Sequence, residues 1–238
     1  LTLKNVPNIK IFGDGAVLED VPKLIERYQV QGFTTNPTLM AKAGIKHYEG
    51  FAKKMLDVVH GLPVSLEVFA DELPEMERQA KKLASWGDNV YVKVPITNTK
   101  RVPTYSIIRT LSEHGVKLNV TAVFTEKQID GIVENLQKDA PAVISVFAGR
   151  IADVGQDPAP IIRHAKKAAK NHPHVEVLWA SCREIYNVVM AANCGTDIIT
   201  VPNDMLEKLF RFGKDLGDVS LETVEMFRND AVKSGFQL

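Results

Sequence analysis

The chain has 238 residues, 45% of them hydrophobic, which is enough for a large core, and Lys+Arg and Asp+Glu each total 29. A net charge of zero leaves no electrostatic footprint for nucleic acid or an anionic membrane, so any anionic ligand must be held locally. Two cysteines, Cys182 and Cys194, are too few for a disulfide scaffold, no Cys/His spacing suits zinc, and no run reaches membrane length; a cytoplasmic setting is expected.

From Ile9 to Leu209, short apolar runs alternate with longer amphipathic segments, eight of each, which is the rhythm of βα units. The first run, residues 9–14, ends on Asp14, and a helix follows with Val17, Val21, Leu24, Ile25 and Tyr28 at helical spacing. Residues 32–37 read as a short strand with the polar tip Thr35-Asn36, stopped by Pro37, and a helix is expected over 45–60. In residues 63–69, Ser65, Glu67 and Phe69 share one face, and a helix opens at Pro74.

The fourth run, residues 89–95, carries Lys93 and leads into a helix near Pro103. The fifth, 117–124, places Asn119 and Thr121 on one face, with Thr125 as the N-cap of the next helix. The sixth, 142–150, aligns Ser145 with Phe147 and ends at Arg150, before a loop over 153–160. The seventh, 175–181, ends in Ser181-Cys182-Arg183. The eighth, 197–202, precedes Asn203 as a helix N-cap, and a last helix over roughly 220–233 carries Leu221, Val224, Phe227 and Ala231 on one face.

Eight such units favour a closed (β/α)8 TIM barrel over an open doubly wound sheet, whose glycine fingerprint is absent. We expect one domain spanning 1–238, with the barrel over about 9–212 and an extra C-terminal helix over about 219–235.

Lys93 is the odd residue of this pattern. Removing an ammonium from water costs several kcal/mol, so a lysine in a β-branched strand is snorkelling, ion-paired or kept as an amine for chemistry. In a barrel all strand C-termini face one mouth, which gathers Asp14, Asn36, Glu67, Lys93, Asn119, Thr121, Ser145, Arg150, Ser181 and Arg183. An amine confined there attacks a carbonyl to give a Schiff base. Asp14 is placed to take a hydroxyl proton, and Glu67 with a water on Thr121 to shuttle protons. Arg150, Ser181 and Arg183 suit an oxyanion, with salt bridges to Asp153 or Glu184 as the bland alternative. A buried ion-pair network that only holds the barrel together also remains open.

Seven segments in order resemble the transaldolase family, of the short-chain type related to fructose-6-phosphate aldolase. They are Phe-Gly-Asp at 12–14, Gly-Phe-Thr-Thr-Asn-Pro at 32–37, Val-Ser-Leu-Glu-Val at 64–68, Val-Lys-Val-Pro at 92–95, Asn-Val-Thr at 119–121, Ser-Val-Phe-Ala-Gly-Arg at 145–150 and Ala-Ser-Cys-Arg at 180–183. The resemblance implies Schiff-base transfer of a dihydroxyacetone unit from a ketose phosphate, by way of Lys93, to an aldose acceptor. It implies Asp14 as acid/base and Glu67, Thr121 and a water as relay. It also implies Asn36, Asn119 and Ser145 on substrate hydroxyls, Phe147 lining the pocket, and Arg150, Ser181 and Arg183 on the phosphate. No metal or organic cofactor is implied. Sugar phosphates are the expected partners, with no nucleic acid and no membrane, and a homo-oligomer of five or ten copies in which the last helix packs on a neighbour.

Glu67 stands where the aldolase branch has glutamine, which favours transfer over simple cleavage. Residues 97–104 and Cys182 also depart from the family pattern. Aldolase-like release of free dihydroxyacetone, a transaldolase of a specialised sugar pathway and a catalytically silent sugar-phosphate-binding barrel are the alternatives.

Overall fold

The computed structural model describes residues 3–15 and 17–237. Eight parallel strands pair in sequence order: β1 (Lys10–Asp14), β2 (Phe33–Thr34), β3 (Val64–Glu67), β4 (Val90–Pro95), β5 (Leu118–Val123), β6 (Ala142–Val146), β7 (Val175–Trp179) and β8 (Ile198–Pro202). β8 returns to β1, with Lys10 opposite Ile198 and Asp14 opposite Pro202, so the barrel is closed. The expected (β/α)8 architecture is therefore present.

Helices cover the outside: α1 (Val21–Tyr28), α2 (Pro37–Lys42), α3 (Tyr48–Val58), α4 (Leu73–Ala84), α5 (Tyr105–Glu113), α6 (Glu126–Asn135), α7 (Ala148–Asp153), α8 (Ala159–Ala168) and α9 (Asn187–Asn193). A 3-10 turn (Leu206–Arg211) leads to α10 (Leu216–Ser234).

Strand alternation divides the residues between two cores. On β4, Val90, Val92 and Val94 join the layer between sheet and helices, where burying each valine contributes about 1.5–3 kcal/mol, whereas Tyr91, Lys93 and Pro95 take the opposite, interior face. Inside the barrel, Phe12, Val143, Leu178, Ala180 and Ile198 form a second, smaller apolar cluster. Phe12 fits because Gly32 has no side chain; a Cβ there would lie 2.5 Å from the ring.

Local signals set several boundaries. Thr125 caps α6 in a reciprocal capping box with Gln128, as expected. Asn203 does not act as a helix cap: the segment after β8 is a 3-10 turn that begins beyond Met205. α3 is shorter than expected, and α7 occupies residues expected to end a strand and open a loop. α5 starts at Tyr105 because residues 97–103 first form a tight hairpin. In that hairpin the buried Asn98 carboxamide accepts from Lys100 N and Val102 N, and Arg101 adopts a left-handed φ of 63°. Asp71 ties the hairpin down by accepting from the main chain and hydroxyl of Thr99 at 2.8 and 2.7 Å.

α10 begins a few residues before the expected C-terminal helix and ends close to where that helix was expected to end. Its N-cap Asp215 accepts from Gly217 N and Asp218 N, and Gly235 ends it at a left-handed φ of 68°. No residue of α10 is buried, and Leu221, Val224, Met226 and Phe227 are exposed.

Candidate active site

β3, β4 and β5 are in register so that Glu67, Lys93 and Asn119 lie side by side at the C-terminal half of the barrel. Lys93, 6% exposed, donates to the Thr35 carbonyl at 2.9 Å, and its Nζ lies 3.0 Å from Glu67 Oε2. The lysine is thus neither snorkelling nor orphaned; it is a buried ion pair with one further acceptor. Two of its three N–H directions are engaged, which leaves one for a ligand.

Asn119 is bonded at both ends of its carboxamide. Its Nδ2 donates to Ser65 Oγ at 2.9 Å and its Oδ1 accepts from Ser145 Oγ at 2.6 Å. All three are buried, so the chain Ser145–Asn119–Ser65 fixes the interior beside Lys93. Ser65 was visible in the sequence only as a residue facing the same way as Glu67, and its link to Asn119 gives it a part in the site.

Thr121 is also buried, and its hydroxyl has no partner among the described residues. The residue that follows it, Ala122, takes a left-handed φ of 58° where the pairing of β5 with β6 shifts register between Val120 and Val123. This bulge interrupts the pairing of β5 with β6 over the stretch that holds Thr121, and pairing resumes at Val123. A buried hydroxyl without a partner is costly, and a water able to bridge it to a neighbouring polar group removes that cost.

Asp14 ends β1 and accepts from Thr34 Oγ1 at 2.9 Å, while the Thr34 and Thr200 hydroxyls are 2.5 Å apart. Thr34 spends its proton on Asp14, so Thr200 donates to Thr34. Burial raises the Asp14 carboxyl above the usual range, against the opposing effects of Thr34 and the Lys93 charge. Thr34 and Thr200 are site residues that composition and spacing did not single out; the Thr-Thr pair at 34–35 beside Asn36 was the available signal.

The remaining candidates sit around the rim. Asn36 caps α2, its Oδ1 accepting from Leu39 N at 3.0 Å, which leaves its amide donors for other partners. Phe147 immediately precedes α7 and packs on Phe124 with ring centroids 5.7 Å apart. The Arg150 guanidinium lies 5.5 Å from the Phe147 ring centre. Ser181 holds a left-handed φ of 61°, and α7 approaches it so closely that a Cβ on Gly149 would be 1.6 Å from the Ser181 carbonyl oxygen. That contact brings the Arg150 and Ser181 segments together. Arg183 forks onto Asp153, with Nε at 3.2 and 3.1 Å from its two oxygens and Nη2 at 2.5 Å, which is the salt bridge named as the bland alternative. Cys182 points away from solvent; burial pushes its thiol up to about 12.

The fold and this lysine–carboxylate centre define a (β/α)8 barrel with a polar, lysine-bearing mouth. The barrel alone is widely shared: N-acetylneuraminate lyase from Mycoplasma synoviae superposes with a TM-score of 0.57 over 98% of this chain and 79% of that one, at 10% identity. Sequence similarity is more specific. Residues 11–238 match the family Transaldolase/Fructose-6-phosphate aldolase, and the chain belongs to it. Probable transaldolase 2 of Listeria monocytogenes is 36% identical over 203 residues, covering 85% of this chain and 88% of that protein. Probable transaldolases of Nitrosopumilus maritimus (36% over 205 residues; 85% and 88%) and Thermoplasma volcanium (35% over 209; 87% and 90%) are similarly related.

Among the described residues no helix is long and apolar enough to cross a membrane.

Proposed function

We propose that this transaldolase-family enzyme transfers a dihydroxyacetone unit from a ketose phosphate, such as fructose 6-phosphate or sedoheptulose 7-phosphate, to an aldose or aldose-phosphate acceptor. The observation that carries the reading is the buried contact of Lys93 with Glu67, set beside the unpartnered Thr121 hydroxyl. Glu67 is the nearest base for the Lys93 proton, and the freed amine attacks the ketose carbonyl at C2. Water leaves through Glu67 and a water on Thr121, giving the protonated imine.

Asp14 then takes the C4 hydroxyl proton. The C3–C4 bond breaks, its electron pair moves toward the iminium nitrogen, and the aldehyde fragment departs. The resulting enamine adds to the acceptor aldehyde, Asp14 returns its proton, and hydrolysis frees Lys93. The raised Asp14 carboxyl suits it to both halves of this exchange. Asn36, Asn119 and Ser145 hold hydroxyls, Phe147 lines the pocket, and Arg150, Ser181 and Arg183 hold the phosphate, Arg183 with Asp153 as its resting partner.

The reading covers one aldolase-type domain acting in the cytoplasm in carbohydrate metabolism, with the pentose phosphate pathway as its setting. It also covers a ring of five or ten copies, supported by the exposed apolar side chains of α10. Borohydride reduction with the ketose phosphate should leave a mass adduct on Lys93; an adduct elsewhere, or none, overturns the assignment.

A further inference from the structure

We propose that the N-terminal end of the barrel, opposite the Lys93 mouth, is a second small-molecule site that takes an anion with an apolar body, such as an aryl carboxylate. A cavity of about 310 Å³ opens there, with Phe12, Val143 and Ile198 as its apolar floor and Ser65 and Tyr91 as polar wall. This end of a (β/α)8 barrel is ordinarily filled by layers of bulky side chains. Here Ser65 and Val143 stand in the layer beside Tyr91 and leave a space about twice the roughly 150 Å³ that accommodates benzene in an apolar cavity.

The wall has hydrogen-bonding capacity to spare. Ser65 Oγ accepts from Asn119, and its own proton finds no acceptor among the described residues. Tyr91 is half-buried and lines the cavity; burial, with the Glu176 carboxylate beside it, holds the proton on its hydroxyl, which is therefore a donor.

At the rim, Lys10 and Glu176 form an ion pair of 2.6 Å, and beyond it a groove of about 650 Å³ shares Lys10, Tyr91 and Glu176 with the cavity. That groove adds Lys117, Lys166 and Lys170 and a second carboxylate, Asp197. Both carboxylates are already committed, Glu176 to Lys10 and Asp197 to Lys166 through both oxygens at 2.6 Å. Lys117 reaches only the main-chain carbonyl of Asp88. The lining therefore carries a local positive excess on a chain whose net charge is zero. Apolar floor, two hydroxyl walls and a cationic rim fit an aromatic ring seated inside and a carboxylate at the lysines. Ser65 binds Asn119, the register partner of Lys93, so one side chain separates the two sites.

The test uses phenylacetate and its neutral counterpart 2-phenylethanol as probes, with binding followed by ligand-observed NMR on the full chain. Phenylacetate should bind with one-to-one stoichiometry and at least tenfold more tightly than 2-phenylethanol. Lys10→Ala with Lys170→Glu should weaken it at least tenfold, and Leu62→Trp, which adds bulk to the cavity lining, should abolish binding while ketose-phosphate turnover persists. A saturating ketose phosphate should leave phenylacetate bound. Equal affinity for both probes, displacement by the sugar phosphate, or unchanged binding in Leu62→Trp would each overturn the proposal, and none of these outcomes bears on the reaction assigned to Lys93.

Discussion

Lys93 and Glu67 are register partners on adjacent parallel strands, and their charged ends meet at 3.0 Å inside the barrel. Strand pairing thus sets the proposed nucleophile beside its proposed base with no loop involved, which limits how far either can drift.

Replacing Glu67 with Gln keeps the shape of the pair and removes the proposed base. We expect kcat for transfer to fall about 10²–10⁴-fold, the usual weight of general acid–base catalysis, while free dihydroxyacetone released without acceptor increases. Steady-state assays with and without an aldose distinguish the two effects. Transfer kinetics equal to the parent enzyme would remove Glu67 from the proton relay.

Asp14 makes a stability prediction with a definite sign. Its carboxyl is raised in the folded chain, so the folded state holds the proton more tightly than the unfolded one. The associated stability is complete below the unfolded carboxylate range and is lost as pH rises through the folded value. Asp14→Asn should therefore melt higher than the parent at pH 7, with the gap closing as pH falls toward about 4, and should lose about 10²–10⁴-fold in turnover. Thermal melts across pH that show no such convergence would contradict the assignment.

Gly149 and Gly50 offer a matched comparison. A Cβ at Gly149 would lie 1.6 Å from the Ser181 carbonyl oxygen, whereas the nearest atom to a Cβ at Gly50 is 3.9 Å away. Gly149→Ala should cost about 1–3 kcal/mol or more and weaken binding at the phosphate site proposed for Arg150 and Ser181. Gly50→Ala, within α3, should stabilise by about 0.5–1 kcal/mol. Chemical denaturation of both variants reads the difference.

Cys182 is buried, with its thiol pushed up to about 12, and burial also raises Cys194. Neither should be alkylated by iodoacetamide at pH 8 in the folded protein, and both should react in denaturant, as followed by mass spectrometry. Rapid native labelling at Cys182 would show that the β7 end opens in solution.

The exposed side chains of α10 predict that Phe227→Glu lowers the sedimenting mass while the barrel stays folded by circular dichroism. An unchanged mass would separate this helix from assembly.

The barrel was legible because burial on both faces of a parallel sheet writes near-continuous apolar runs, as in β4, β6 and β8, and because Thr125 and Gln128 spell a capping box. Lys93 stood out for the same reason: a cation interrupts such a run. What stayed hidden depends on contacts distant in sequence. The partnership of Thr34 with Thr200 spans β2 and β8, the Ala122 bulge leaves no Gly or Pro marker, and α7 is too short to show periodicity. Arg183 fell between the two, since sequence named Asp153 as its alternative partner and geometry supplied the fork.

The hydrogen bond from Thr200 to Thr34, and onward to Asp14, has a consequence for how the molecule comes into being. The carboxylate lies near the start of the chain and its indirect support near the end, so a ribosome makes Asp14 long before the strand that steadies it. Until β8 docks between β7 and β1, the nascent sheet has two open edges able to capture foreign strands, and afterwards it has none. Ring closure and completion of the Asp14 environment are therefore the same event, and a chain cut short before Ile198 forfeits both.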